Sequence, residues 1–97
     1  MEKQFCVYIL ASAKRGTLYI GVTSNLVQRV VQHREKVVEG FTARYGIDRL
    51  VWYEVHHEAE SAILREKQLK RWNRLWKIQL VETTNSDWRG LFSEVVG

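Results

Sequence analysis

Two short runs near the start of the chain, Phe5 to Ala11 and Thr17 to Thr23, constrain the fold more than any other feature. The first is almost wholly apolar and the second is rich in β-branched and aromatic residues, so both read as strands. Lys14-Arg15-Gly16 between them is polar and ends in a residue free to take positive φ, which predicts a tight hairpin. Register then decides which side chains share a face. Tyr8 and Tyr19 lie on one side only if paired residue numbers sum to an odd value, because a one-residue slip turns every side chain over.

The remaining periodicities fix the order of elements. Ser24 or Asn25 can cap a helix, and Leu26, Val27, Val30, Val31, Val37 and Val38 follow helical spacing, predicting a helix to about Val38 that Gly40 ends. Phe41 to Gly46 reads as a glycine-bounded connection and Leu50 to Val55 as a third strand. From Ala59 to about Leu80 the spacing is helical again, with a break expected near Trp72-Asn73. Asn85-Ser86-Asp87 marks a turn, after which Trp88, Leu91 and Phe92 fold back over the core. The predicted fold is α+β, a three-stranded antiparallel sheet flanked by helices in the order β-β-α-β-α-α, filling residues 1–97 as one domain. Trp52, Trp72, Trp76 and Trp88 are expected in the core or at its edge.

Composition narrows the function. Cys6 is the single cysteine, so an internal disulfide and any zinc site built on paired thiolates are excluded. A reducing interior suits the lone thiol and no apolar run approaches a membrane span, which gives a cytoplasmic expectation with no membrane role. Fifteen Lys and Arg against eleven Asp and Glu give a net charge of +4, favouring polyanionic partners.

Several polar residues interrupt the apolar patterns. Glu66 falls within the arc of Ala59, Ala62, Ile63 and Leu69, where a carboxylate must be paired, protonated or bound to a cation. A salt bridge to a core-edge arginine and a metal site are both open. Arg29 and His33 lie one turn apart beside the valine stripe of the first helix. His56 and His57 point to opposite faces of a strand end and cannot chelate one metal together. Lys67, Lys70, Arg71, Arg74 and Lys77 recur at three- and four-residue steps. On a continuous helix they form one stripe able to follow a phosphate backbone or simply a solvated face; a break near Asn73 splits them into two patches.

Val7-Tyr8-Ile9 on the first strand, Tyr19-Ile20-Gly21 on the second, Thr23-Ser24-Asn25-Leu26, then Arg29, His33, Glu66 and Asn85 together resemble the core of the GIY-YIG endonuclease superfamily, closest to its small stand-alone bacterial members. The similarity runs over nearly the whole chain, and five elements in one order are specific where each motif alone is weak. Two departures stand out: Val7 where the family's first motif begins with glycine, and Val22 where DNA-repair relatives often carry a lysine.

The resemblance implies metal-dependent hydrolysis of DNA phosphodiesters, with DNA repair or recombination as the setting. Glu66 would hold one Mg2+ or Mn2+ ion, an ion that keeps several waters and accepts phosphate oxygens. Tyr19 would be the general base or orienter of the attacking water, and Tyr8 would hydrogen-bond water or phosphate. Arg29 would stabilise charge on phosphorus, and His33 would shuttle a proton or contact phosphate. Gly21 would let DNA approach the strand backbone, and Lys67, Lys70, Arg71, Arg74 and Asn85 would contact the substrate. No small-molecule cofactor is expected, and a protein partner can supply specificity to so small a domain. A non-cleaving nucleic-acid-binding module on the same fold is the alternative; an interaction domain presenting its tryptophans is another.

Overall fold

The computed structural model describes residues 4–36 and 40–96. Strands β1 (Phe5–Ala11), β2 (Leu18–Thr23) and β3 (Arg49–His56) form an antiparallel sheet in the order β2-β1-β3. Around it lie α1 (Leu26–Arg34), α2 (Phe41–Tyr45), α3 (Ala59–Arg71), α4 (Arg74–Thr84) and α5 (Phe92–Val96). The α+β architecture is the expected one. Helices α2 and α5 fall in the segments read as connection and tail, since five residues are too few to show a helical period.

The hairpin closes with Ser12 N–H donating to Thr17 O at 3.0 Å and Gly16 N–H donating to Ala13 O at 2.9 Å. Positive φ falls on Arg15, at 54°, and not on Gly16 as expected. Glycine is needed at 16 for space: a Cβ there would collide with Ser12 Oγ and stand 2.9 Å from Ala13 N. That hydroxyl is already committed, accepting from Thr17 N–H at 3.0 Å.

Strand alternation sends residues to two different cores. Val7, Ile9, Ala11 and Ile20 pack with Ala62 and Leu69 of α3, Val81 of α4 and Trp88. Tyr8 and Leu10 pack on the other side with Leu26 and Val30 of α1, Ile47 and Leu91. The sheet is therefore the middle of three layers. A bulge in β3 keeps this partition: Ile9 pairs with Trp52 but Leu10 with Leu50, so Val51 is extra and joins Trp52 on the α3 side.

Helix α1 stops at Arg34, short of the expected Val38; Glu35 N–H donates back to Val31 O at 2.9 Å and Lys36 turns left-handed at φ 57°. Val37 and Val38 lie outside the described residues. Gly40, at φ 104°, precedes α2 as its cap instead of ending α1. The expected break after α3 is present: Trp72 and Asn73 are extended, and Asn73 Oδ1 accepts from Trp76 N–H at 2.9 Å to start α4.

The C-terminal return covers the core as expected, with Trp88 fully buried and Leu91 nearly so. The Trp88 indole donates to Glu82 at 2.7 Å, and the Arg15 guanidinium forks onto the same carboxylate with two bonds of 2.9 Å. Together they fasten the hairpin tip to α4. Among the described residues no helix is long and apolar enough to cross a membrane.

Candidate active site

Register builds the site. Tyr8 pairs with Gly21 and Leu10 with Tyr19, so paired numbers sum to an odd value and both tyrosines face α1. Their ring centroids are 6.3 Å apart. Gly21 serves this arrangement directly, because a Cβ there would lie 2.5 Å from Cζ of Tyr8. The expectation that Gly21 leaves its backbone open to DNA is thus replaced by another role: the residue is buried, and the Tyr8 ring fills the space a side chain would take. Val22, where relatives often have lysine, packs against the α3-side core, so a side chain there points away from the tyrosines.

Asn25 caps α1 by accepting from Gln28 N–H at 3.1 Å, and the helix then presents Arg29 and His33 to the tyrosine face. His33 is 2% exposed. Its Nε2 lies 3.3 Å from Tyr8 Oη, its Nδ1 lies 2.9 Å from Thr42 Oγ1, and its ring centroid is 5.4 Å from that of Tyr19. The Arg29 guanidinium interacts electrostatically with the phenols of Tyr8 and Tyr19, and its Nη1 donates to Gln32 Oε1 at 3.3 Å.

The electrostatics follow from burial. Desolvation lifts the Tyr8 phenol above its ordinary range, opposed by the Arg29 hydrogen bond and assisted by Tyr19 and the Glu66 charge. Burial lowers the His33 imidazole, and the Arg29 charge adds to that. The Arg29 guanidinium is held up chiefly by its bond to Tyr8. At neutral pH the cluster therefore has a protonated phenol, a neutral imidazole and a permanent cation, a combination that attracts an anion and can pass a proton.

Glu66 approaches from the other layer. Helix α3 lies across β1 and β2, and Ala62 and Leu69 are fully buried while Ile63 is 41% exposed. The buried arc is narrower than the sequence pattern suggested, and Glu66 stands at its border. Its partner is Lys70 one turn on, at 3.1 Å, in place of the core-edge arginine considered from sequence. Among the described residues no three His, Cys, Asp or Glu side chains converge on a metal position. A cation held at Glu66 would find one protein carboxylate, a donor that suits only an ion completing its shell with water and phosphate oxygen.

The other expected contacts divide. Lys67, Lys70 and Arg71 belong to α3 and Arg74 and Lys77 to α4, so the break splits the basic stripe into two patches. Arg74 donates to the Arg15 carbonyl. Asn85 does not face the tyrosines: it is buried, its Nδ2 donates to Val51 O at 3.0 Å and Arg89 O at 2.9 Å, and its Oδ1 accepts from Arg89 N–H at 3.1 Å. It fastens the corner after α4 instead of contacting a substrate. Thr42, buried against His33, has no signal in the sequence, because a short helix brings it there.

Residues 4–79 match the GIY-YIG catalytic domain. A UPF0213 protein of Clostridium perfringens is 34% identical over 77 residues, covering 79% of this chain and 82% of its own length. A UPF0213 protein of Autographa californica nuclear polyhedrosis virus is 34% identical over 83 residues, covering 84% and 79%. The solution NMR structure of a UPF0213 protein from Bacillus halodurans superposes with a TM-score of 0.56 at 29% identity, covering 88% of this chain and 89% of that one.

Proposed function

The chain belongs to the GIY-YIG catalytic domain family, a family of nucleases, and we propose that it hydrolyses DNA phosphodiesters with one divalent ion, Mg2+ or Mn2+. The observation that carries this reading is the convergence of Tyr8, Tyr19, Arg29 and His33 on one sheet face, with a guanidinium free of any carboxylate partner among the described residues. The guanidinium is only part-buried, so water can solvate it in the free protein, and a phosphodiester docked on this face would supply the opposite charge that no carboxylate provides.

The two phenols differ in a way that assigns their roles. Tyr8 is buried and held protonated, so it gives hydrogen bonds to water or phosphate. Tyr19 is half-buried and accessible, so it would orient the attacking water or, as the phenolate, take its proton as the water oxygen bonds to phosphorus. The bond from phosphorus to the leaving sugar oxygen breaks, and the planar Arg29 fork matches two oxygens of the phosphate at its most crowded. His33, neutral and bonded to Tyr8, accepts or returns a proton. Glu66 would hold the ion, which supplies positive charge to the phosphate oxygens. In the free protein that carboxylate pairs with Lys70, a contact that holding the ion would replace. Lys67, Lys70, Arg71 and Arg74 would bind the backbone, with affinity that falls steeply with salt and falls again when Lys70 and Arg74 are reversed to Glu.

The test is magnesium-dependent nicking of supercoiled plasmid by the chain and by Glu66→Gln. The variant is expected to lose nicking while its melting temperature stays level or rises, since an i,i+4 pair whose lysine is half-exposed contributes only about 0.3–0.5 kcal/mol. A large loss of stability with nicking retained returns Glu66 to the core. DNA binding by the unaltered chain without cleavage assigns the fold to a non-cleaving module.

A further inference from the structure

Where α3 hands over to α4, an aromatic pair reaches the surface. Trp72 and Trp76 meet edge to face, with ring centroids 5.9 Å apart and planes at 89°. Trp72 packs inward against the α3-side core and carries the Arg65 guanidinium 5.4 Å from its ring. Trp76, expected in the core or at its edge, is 53% exposed. With Gln79, Leu80 and Thr83 the two indoles line an open groove of about 360 Å³. Other large apolar side chains of the chain are as exposed, but here the two indoles and Leu80 share one open groove, and a contiguous apolar surface of this kind marks an interaction site.

Charge selects among occupants. From Lys67 to Val81 the sequence holds Lys67, Lys70, Arg71, Arg74 and Lys77 and no Asp or Glu. The two basic patches, on α3 and α4, lie on either side of the Trp72-Asn73 break from which the groove opens, and a second copy of the chain, itself at +4, brings like charge to them. A nucleic-acid strand brings an anionic backbone together with flat apolar rings, and the Gln79 amide can both donate to and accept from a base edge. We propose that this groove takes an unpaired nucleobase of a DNA strand, stacked on Trp76, with the neighbouring phosphates on Lys70, Arg71 and Lys77. The inference rests on the reading that the chain acts on DNA and deepens it: the preferred substrate carries an extruded or single-stranded base beside the duplex, as in a flap, gap or bulge. Sequence preference stays weak, because every base has a face to stack.

The experiment compares binding of the full chain to a duplex with a single-stranded extension and to the same DNA with abasic sites in the extension, at equal charge. Affinity is expected to fall about fivefold or more when the bases are removed. Trp76→Ala should bind both DNAs at the weaker level, and Trp76→Phe should keep part of the preference; a half-exposed position makes both tolerable to the fold. Equal affinity for the two DNAs, or an unchanged preference in Trp76→Ala, overturns the proposal. So does a result in which Trp76→Ala alters only sedimentation, which gives the groove to a second copy. Plasmid nicking measured alongside separates the two readings. Base-dependent binding without nicking removes the nuclease reading alone, and nicking with no base dependence removes this one alone.

Discussion

The two faces of β1 differ more than any other adjoining regions of the molecule. Toward α3 and α4, Val7, Ile9 and Ala11 pack in an apolar core that includes Trp88. Toward α1, Tyr8 meets His33, Arg29 and the Tyr19 ring within a second core that includes Leu10, Leu26 and Val30. One strand thus sends its odd residues into an apolar core and, from its even side, sets Tyr8 in the candidate site beside a second core that holds Leu10. The apolar face can tolerate the cost of the polar one because its burial does not depend on it, and the register that separates them also protects each from changes in the other.

Substitutions can break that separation. On the α1 side, Arg29→Ala is expected to reduce plasmid nicking on the order of 10²–10³-fold, equivalent to about 3–4 kcal/mol of barrier, with little change in melting temperature. On the α3 side, Ile9→Ala removes a fully buried side chain and should cost about 2–4 kcal/mol, a fall on the order of 10–25 °C, with nicking by the remaining folded protein unchanged. If nicking tracked melting temperature across both variants, the two faces would be one cooperative unit and the distinction would collapse.

Gly21→Ala sharpens the comparison at the point where sequence motif and packing coincide. The added methyl overlaps the Tyr8 ring and should cost about 1–3 kcal/mol, while displacing that ring from His33. In a Tyr8→Ala background the same change should cost almost nothing. The coupling from a denaturant double-mutant cycle is the measurement; additive costs would mean that the ring is not what requires glycine.

Smaller effects come from protonation. His33 has its folded pKa depressed, so the unfolded chain binds the extra proton first, and stability falls as pH drops through about 6.5 toward the folded value. His33→Gln should flatten that part of the pH profile. Glu82 is held down to about 2, first by Arg15 and then by Trp88, so its contribution is complete above the unfolded carboxylate range and is lost as pH falls from about 4.5 toward 2. Arg15→Ala should weaken the acid-limb slope and leave nicking alone, as expected of a tie to the α3-side core.

Much of this was legible before the structure. Apolar runs rich in β-branched and aromatic residues placed the strands, and a break was expected near Trp72-Asn73, where the structure divides α3 from α4 with Asn73 as the cap. The α1 end at Arg34 was hidden because the valine spacing runs on without a helix breaker and nothing in a lysine announces a left-handed backbone at residue 36. In the site, the pattern gave Tyr8, Tyr19, Arg29 and His33 their common face. It could not give Thr42, whose bond to His33 depends on how α2 docks, nor the solvent-facing position of Trp76, since aromatic residues at helical spacing look the same whether covered or bare.

The Arg15–Glu82 fork has a consequence for how the chain acquires its shape. It joins residues 67 positions apart, while the hairpin it steadies closes over a few residues. Short loops close in well under a microsecond and long ones pay more entropy, so local pairing of β1 and β2 precedes the clasp. On a ribosome the interval is longer still, at about 5–20 residues per second, because Glu82 has not been made when the hairpin emerges. For those seconds the tyrosines can already share a face while the turn that sets their spacing is held only by its own backbone.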